Sequence, residues 1–148
     1  MQIKELGHIV LYVRDLEASR HFYRDVLGWN EIAGQEHQMA MFSSGRTHHE
    51  LLLIEVGPNA APIPGGRRVG MYHFGLKVGT TDEELREALE TLEASGANVV
   101  GSADHGVTHS LYITDPDGNE IELYIDVQPE VWREDPRAVL SPIRALRL

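Results

Sequence analysis

Gly7-His8-Ile9-Val10-Leu11-Tyr12-Val13, near the start of the chain, returns in the second half as Met71-Tyr72-His73-Phe74-Gly75-Leu76-Lys77-Val78, with His73 in the place of His8. Each stretch reads as a β-strand. In the first, His8, Val10 and Tyr12 take one face and Ile9, Leu11 and Val13 the other, and both faces are expected to be largely buried. The likeness continues beyond the strand. Asp15 can cap a helix whose apolar positions Leu16, Ser19, Phe22, Tyr23, Val26 and Leu27 follow a 3.6-residue period, with Gly28 as its stop. Thr81-Asp82-Glu83-Glu84 is a capping pattern ahead of Leu85, Ala88, Leu89 and Leu92, and Gly96 closes that second helix. Three strands are predicted after each helix: 30–33, 37–42 and about 48–56 in the first half, then 98–103, 110–114 and 119–125 in the second. The chain is therefore a tandem repeat of one β-α-β-β-β unit.

Working outward, Asp115-Pro116-Asp117-Gly118-Asn119 is a strong turn, because proline pre-sets φ and Gly118 supplies positive φ without steric cost. After it, Ile121, Leu123 and Ile125 alternate with Glu120, Glu122, Tyr124 and Asp126, so Glu122 stands on the face opposite the apolar row. One helix can cover only one side of each mostly antiparallel sheet. The other face must curve around something or pack on its twin. The fold class is α+β, with two tandem β-α-β-β-β modules forming a cupped, mixed, mostly antiparallel sheet and helices on the outer face. A single domain, 1–148, is expected, with module 1 at about 3–56, a linker at 57–70 rich in Pro and Gly, module 2 at about 71–127 and a C-terminal tail at 128–148.

Composition narrows the function. The 148 residues are 42% hydrophobic, enough for a sizeable core, and carry a formal net charge of -10. That balance argues against nucleic acid or an anionic membrane as partner, since both select clustered Lys and Arg. Without cysteine there is no thiolate metal site, disulfide or cysteine nucleophile. No apolar run approaches transmembrane length, and a strand beginning close to Met1 leaves no room for a signal peptide, so a cytoplasmic location is expected.

His8, His73 and Glu122 lie on three strands, each on the face opposite the helix-covering row. Two imidazoles and one carboxylate with open positions form the facial-triad donor set for Fe(II), which also suits other divalent ions. A lone strand histidine is usually structural. Here the matching repeat positions and the shared facing of three strands favour ligands.

The motifs Gly7-His8-Ile9-Val10-Leu11-Tyr12-Val13-Arg14-Asp15-Leu16, Phe22-Tyr23-Arg24-Asp25-Val26-Leu27-Gly28, Tyr72-His73-Phe74-Gly75-Leu76 and Asp115-Pro116-Asp117-Gly118 through Ile121-Glu122-Leu123 resemble those of the vicinal oxygen chelate superfamily. That superfamily includes glyoxalase I, the type I extradiol dioxygenases, and the bleomycin and fosfomycin resistance proteins. The resemblance covers roughly 3–127. It implies His8, His73 and Glu122 as metal ligands and a homodimer acting on a small molecule. His48-His49-Glu50-Leu51 resembles the segment where extradiol enzymes carry an acid-base histidine, which would be His49. Asp104-His105-Gly106 and Ser110-Leu111-Tyr112 resemble the segment supplying a second-shell histidine and a substrate-binding tyrosine, which implies roles for His105 and Tyr112. The span from His105 to Tyr112 is shorter than the family's.

The implied activity is that of a metal-dependent extradiol-type dioxygenase acting on a catecholic or related vicinal-oxygen compound, with Fe(II) as first choice and Zn, Ni or Mn as alternatives. A glyoxalase-like isomerase or lyase is the competing reading, with Glu50 as a candidate fourth metal ligand. His49 and Glu50 are adjacent on a strand, so alternation lets only one of them face the metal. His109 is a spare candidate ligand or proton donor, set against its reading as a loop-end residue. A third reading is a non-catalytic drug-resistance-type protein that sequesters its ligand in the same cup.

Overall fold

The alternation that buries Leu11 and Val13 while leaving Val10 and Tyr12 exposed sets the architecture of the first half. A computed structural model describes residues 1–148. The chain forms two compact units, Met1–Ile63 and Pro64–Leu148. The division falls inside the Pro- and Gly-rich stretch 57–70.

In the first unit the strands are β1 (Ile9–Val13), β2 (Glu31–Gln35), β3 (Met39–Phe42) and β4 (Leu51–Glu55), in the order β1-β4-β3-β2. β1 and β4 pair in parallel with Ile9 opposite Leu51, and the other pairs are antiparallel. Asp15 caps helix α1 (Leu16–Arg20) through a bond from Ala18 N, and the Glu55 carboxylate accepts from Leu16 N at 2.9 Å. The helix then widens. His21–Val26 forms a π-helical turn, closed by Leu27 N to Phe22 O, instead of the uniform α-helix the periodicity predicts. The wider turn lets the adjacent Phe22 and Tyr23 both reach the core. The expectation that both faces of the first strand are buried fails in this unit. α1 packs on β3 and β4 from one side, and the face carrying His8, Val10 and Tyr12 has no helix over it.

The second unit repeats the plan with β5 (His73–Gly79), β6 (Asn98–Asp104), β7 (Thr108–Thr114) and β8 (Glu120–Asp126), in the order β5-β8-β7-β6, with β5 and β8 parallel. Helix α2 (Asp82–Ser95) has the full capping box at Thr81 and Glu84 and ends at Gly96 in the left-handed region. It buries Leu85 and Leu92 and packs on β5, β7 and β8, whose covered row includes Phe74, Leu111, Ile113, Ile121, Leu123 and Ile125. The tail folds as short helix α3 (Pro129–Glu134) and a 3-10 turn (Pro136–Leu140), then returns to the free edge of β6. There Arg144 N donates to Asp104 O at 2.8 Å, and Asp104 N to Arg144 O at 3.0 Å. No helix is long and apolar enough to cross a membrane.

The turn leading into β8 is built as its sequence implies. Gly118 has φ 89°. The buried Asp115 carboxylate accepts from Asp117 N at 3.0 Å, Asn119 N at 2.8 Å and Asn119 Nδ2 at 2.8 Å. Removing this acceptor strands three donors. Asp115→Ala is expected to lower the unfolding free energy by about 2–3 kcal/mol in urea titration, with an unchanged secondary-structure spectrum; a loss within experimental error would show that the turn does not depend on it.

Candidate functional site

The uncovered face of the second sheet carries a close polar arrangement, and register explains why. Gly75 on β5, Glu122 on β8 and Tyr112 on β7 lie side by side in one row. His73 and Glu120 belong to the next row. The His73 Nε2 lies 3.3 Å from Glu122 Oε2, and its Nδ1 lies 3.7 Å from Glu120 Oε1. That Nδ1 is buried without a hydrogen-bond partner. The other oxygen of Glu122, Oε1, accepts from Ser110 Oγ at 2.6 Å and from Tyr112 OH at 3.3 Å.

Behind the phenol, His105 Nε2 lies 2.8 Å from Tyr112 OH. With the Nε2–H tautomer of His105, hydrogen bonds run from His105 to Tyr112 to Glu122. Burial first, then the charge of Glu122, push the Tyr112 phenol up to about 12. It therefore remains a donor throughout the neutral range. Tyr72, beside the His73 ring, is also raised, first by its hydrogen bond to Glu120.

Gly75 leaves the row open. A Cβ there would come within 3.3 Å of the Tyr124 ring and 3.7 Å of Glu122 Oε2. Any side chain at this position narrows the space beside the carboxylate.

The first unit holds a cluster of imidazoles. The His8 ring lies 4.5 Å from that of His49 and 6.0 Å from that of His48, centroid to centroid, and His48 Nδ1 is 2.7 Å from His49 Nδ1. Burial, followed by the neighbouring His48 and His8, holds His49 below the ordinary histidine value, and its Nε2 is buried without a partner. Its ring is therefore neutral at pH 7. Glu50 is engaged elsewhere: its carboxylate accepts from Ser44 N at 2.6 Å, from Ser44 Oγ and from Arg46 Nε at 3.1 Å. Burial opposes its ionisation, but the Ser44 hydrogen bonds and the Arg46 guanidinium outweigh burial and hold it below the usual carboxylate range. The rule that only one of His49 and Glu50 can face a given side assumes a regular strand there. β4 begins at Leu51, although the Glu50 backbone still bonds to both neighbouring strands, Glu50 N to Phe42 O and Ile9 N to Glu50 O, each at 2.9 Å.

Thus His73, Glu122, Tyr112 and His105 stand together in the second unit, and His8 stands with His48 and His49 in the first. His109 is turned to the helix side, 2.5 Å from Asp82 and 3.6 Å from Asp104. No group of three His, Asp or Glu side chains is arranged to hold a metal ion by itself. Two positions nevertheless suit one. Two donors set cis at about 2.1 Å from one divalent ion are about 3 Å apart, close to the His73–Glu122 separation of 3.3 Å. Sequence reasoning overlooked Ser110, Tyr72 and Glu120; strand parity with Tyr112 and Glu122 was the available signal for Ser110 and Glu120.

The repeated unit and its motifs identify a class. The chain belongs to the Glyoxalase/Bleomycin resistance protein/Dioxygenase superfamily, whose profile matches residues 5–123. It is 35% identical over 130 residues to catechol-2,3-dioxygenase of Bacillus subtilis, an alignment covering 88% of this chain and 44% of that protein. Biphenyl-2,3-diol 1,2-dioxygenase 2 of Rhodococcus globerulus is 32% identical, over 82% of this chain and 63% of its own length. The chain thus spans less than two thirds of either relative. Among solved structures, lactoylglutathione lyase from Agrobacterium tumefaciens superposes with a TM-score of 0.64 at 28% identity, covering 89% of this chain and 98% of that one.

The His49 environment has a pH consequence. Because its folded-state pKa is depressed, the unfolded chain takes up this proton first as pH falls, and stability is lost below the ordinary histidine value. Between about pH 7 and pH 5, His49→Gln is expected to lose less unfolding free energy than the unsubstituted protein. Equal losses in urea titrations at the two pH values would mean that the ring is not held neutral.

Proposed function

We propose that the protein is a metal-dependent extradiol-type dioxygenase that acts on a catecholic or related vicinal-oxygen small molecule. The observation that carries this reading is the divided environment of Glu122, with one oxygen held by Ser110 and Tyr112 and the other turned to His73 Nε2 at 3.3 Å. A carboxylate so oriented beside an imidazole, with a hydrogen-bonded phenol next to it, suits a ligand pair adjoining a substrate oxygen. The likeness to catechol-2,3-dioxygenase and to the biphenyl-diol dioxygenase supports the choice of reaction.

In this reading the metal ligands are those the family resemblance implies, His8, His73 and Glu122, and the ion is Fe(II) in preference to Zn, Ni or Mn. When bound, the ion supplies open coordination positions and the electron chemistry with O2. The chain's own residues do the remaining work. His49, neutral and with a buried unpartnered Nε2, accepts a proton from a substrate hydroxyl. Tyr112, protonated at neutral pH, turns its one proton from Glu122 to a substrate oxygen, and His105 behind it keeps the phenol oriented. The partner is a small molecule rather than nucleic acid or membrane, as the net charge of -10 favours. The protein works as a cytoplasmic homodimer.

A glyoxalase-like isomerase is the second reading, favoured by the likeness to lactoylglutathione lyase. Its fourth ligand would be Glu50. The hydrogen bonds from Ser44 and the ion pair with Arg46 count against that role.

The readings separate on metal content and oxygen uptake. Protein purified without added metal, then reconstituted anaerobically with Fe(II), is expected to consume oxygen with a catechol panel. His8→Ala, His73→Ala and Glu122→Gln should each reduce bound iron. His49→Ala should retain iron yet slow uptake by about 10²–10⁴-fold. Zinc or nickel with no uptake after reconstitution would favour the isomerase. A protein without stable metal whose His8→Ala variant binds ligand normally would be a sequestering protein.

A further inference from the structure

Ser110 is a fully buried hydroxyl in the middle of β7 with a bulky Tyr124 opposite it on β8 and the small Ala103 opposite it on β6. A buried hydroxyl must spend its proton, and this one spends it on Glu122 Oε1 at 2.6 Å. The Tyr112 contact to the same oxygen is longer, at 3.3 Å. We propose that Ser110 is a positioning residue for Glu122: its hydroxyl pins Oε1 to the sheet, which leaves Oε2 turned toward His73 Nε2 as the donor presented to a divalent cation. This inference rests on Glu122 being a ligand, as proposed above.

The physical basis is directional. A carboxylate on a two-carbon stem can rotate about its last torsion, and a cation that must first fix that rotation binds more weakly. A charge-assisted hydrogen bond of 2.6 Å removes the freedom beforehand. The Ser110 position permits this because it lies diagonal to Glu122 across the β7–β8 pair, on the same face. If the hydroxyl merely satisfied itself on a convenient acceptor, its removal would leave cation binding untouched. If it orients the carboxylate, affinity falls while the fold persists.

Titration of the metal-free full chain with Mn(II), followed by electron paramagnetic resonance, separates these outcomes without relying on turnover. Ser110→Ala is expected to weaken Mn(II) binding by about 10–100-fold, the usual effect of losing an outer-shell partner, and to alter the spectrum of the residual bound ion. Tyr112→Phe, which removes the longer bond, should have the smaller effect. Ser110→Thr, which keeps the hydroxyl, should restore affinity; should the added methyl prevent folding, the altered spectrum of Ser110→Ala carries the test. Wild-type affinity and spectrum in Ser110→Ala, with binding lost in Glu122→Gln, would overturn the positioning role while leaving Glu122 a ligand. Wild-type affinity in Glu122→Gln would overturn the ligand assignment and the inference together. A folded Ser110→Thr as weak as Ser110→Ala would also overturn it.

Discussion

Each sheet has one helix and therefore one side it can bury, and the placement of the polar row on the second sheet follows from that constraint. In the second unit α2 claims the row of Phe74, Leu111, Ile113, Ile121, Leu123 and Ile125. Strand alternation then forces His73, Ser110, Tyr112 and Glu122 to the opposite side. A slip of one residue in β8 would bury Glu122 under α2 and expose Ile121, exchanging an apolar contact for an unpaired buried charge. The cost of that exchange locks the register. The parallel pairing of β5 with β8 adds a second restraint, setting His73 opposite Glu120 and Gly75 opposite Glu122, so one imidazole meets two carboxylates.

The two units share strand order and pairing but not chemistry. In the first, the residues flanking β1 and β4 supply three clustered imidazoles, of which His49 is held below the ordinary histidine value by burial and its neighbours. In the second, the ladder presents carboxylates, a phenol and a hydroxyl around His73. One topology thus carries a base-like cluster in one copy and an anionic, hydrogen-bonded cluster in the other. Sharing a fold does not fix what the exposed row contains, because only the covered row is needed for stability.

Much of this was legible in the sequence. The return of His8 as His73, the capping box at Thr81, and the turn at Asp115 with Gly118 specify the repeat and the ends of its elements. The sequence puts the first strand at Gly7, whereas ladder pairing begins at Ile9, because the motif that marks the strand starts two residues before its pairing does. The sequence predicts a uniform helix in the α1 region because a 3.6-residue period is blind to one widened turn that buries adjacent aromatics. The fate of Glu50 was not legible. Its partners Ser44 and Arg46 belong to the preceding turn, and their competition for the carboxylate appears only once that turn is folded. His109, near the start of β7, goes by parity to the helix side, where Asp82 at the start of α2 meets it. Ser110 could have been found, since it shares parity with Tyr112, but a strand serine carries little chemical signal until the acceptor across the ladder is known.

The bridge between Asp104 and Arg144 concerns the order in which the chain is made. β6 is an edge strand, and its last residue is covered by a segment 40 positions further along that leaves the ribosome after β7 and β8 are complete. Until then the second sheet can assemble with the end of that edge uncovered, beside the loop that carries His105. An unpaired edge is a template for another strand. The tail therefore blunts one end of that edge, at Asp104, and reaches it only after the rest of the sheet has been synthesised.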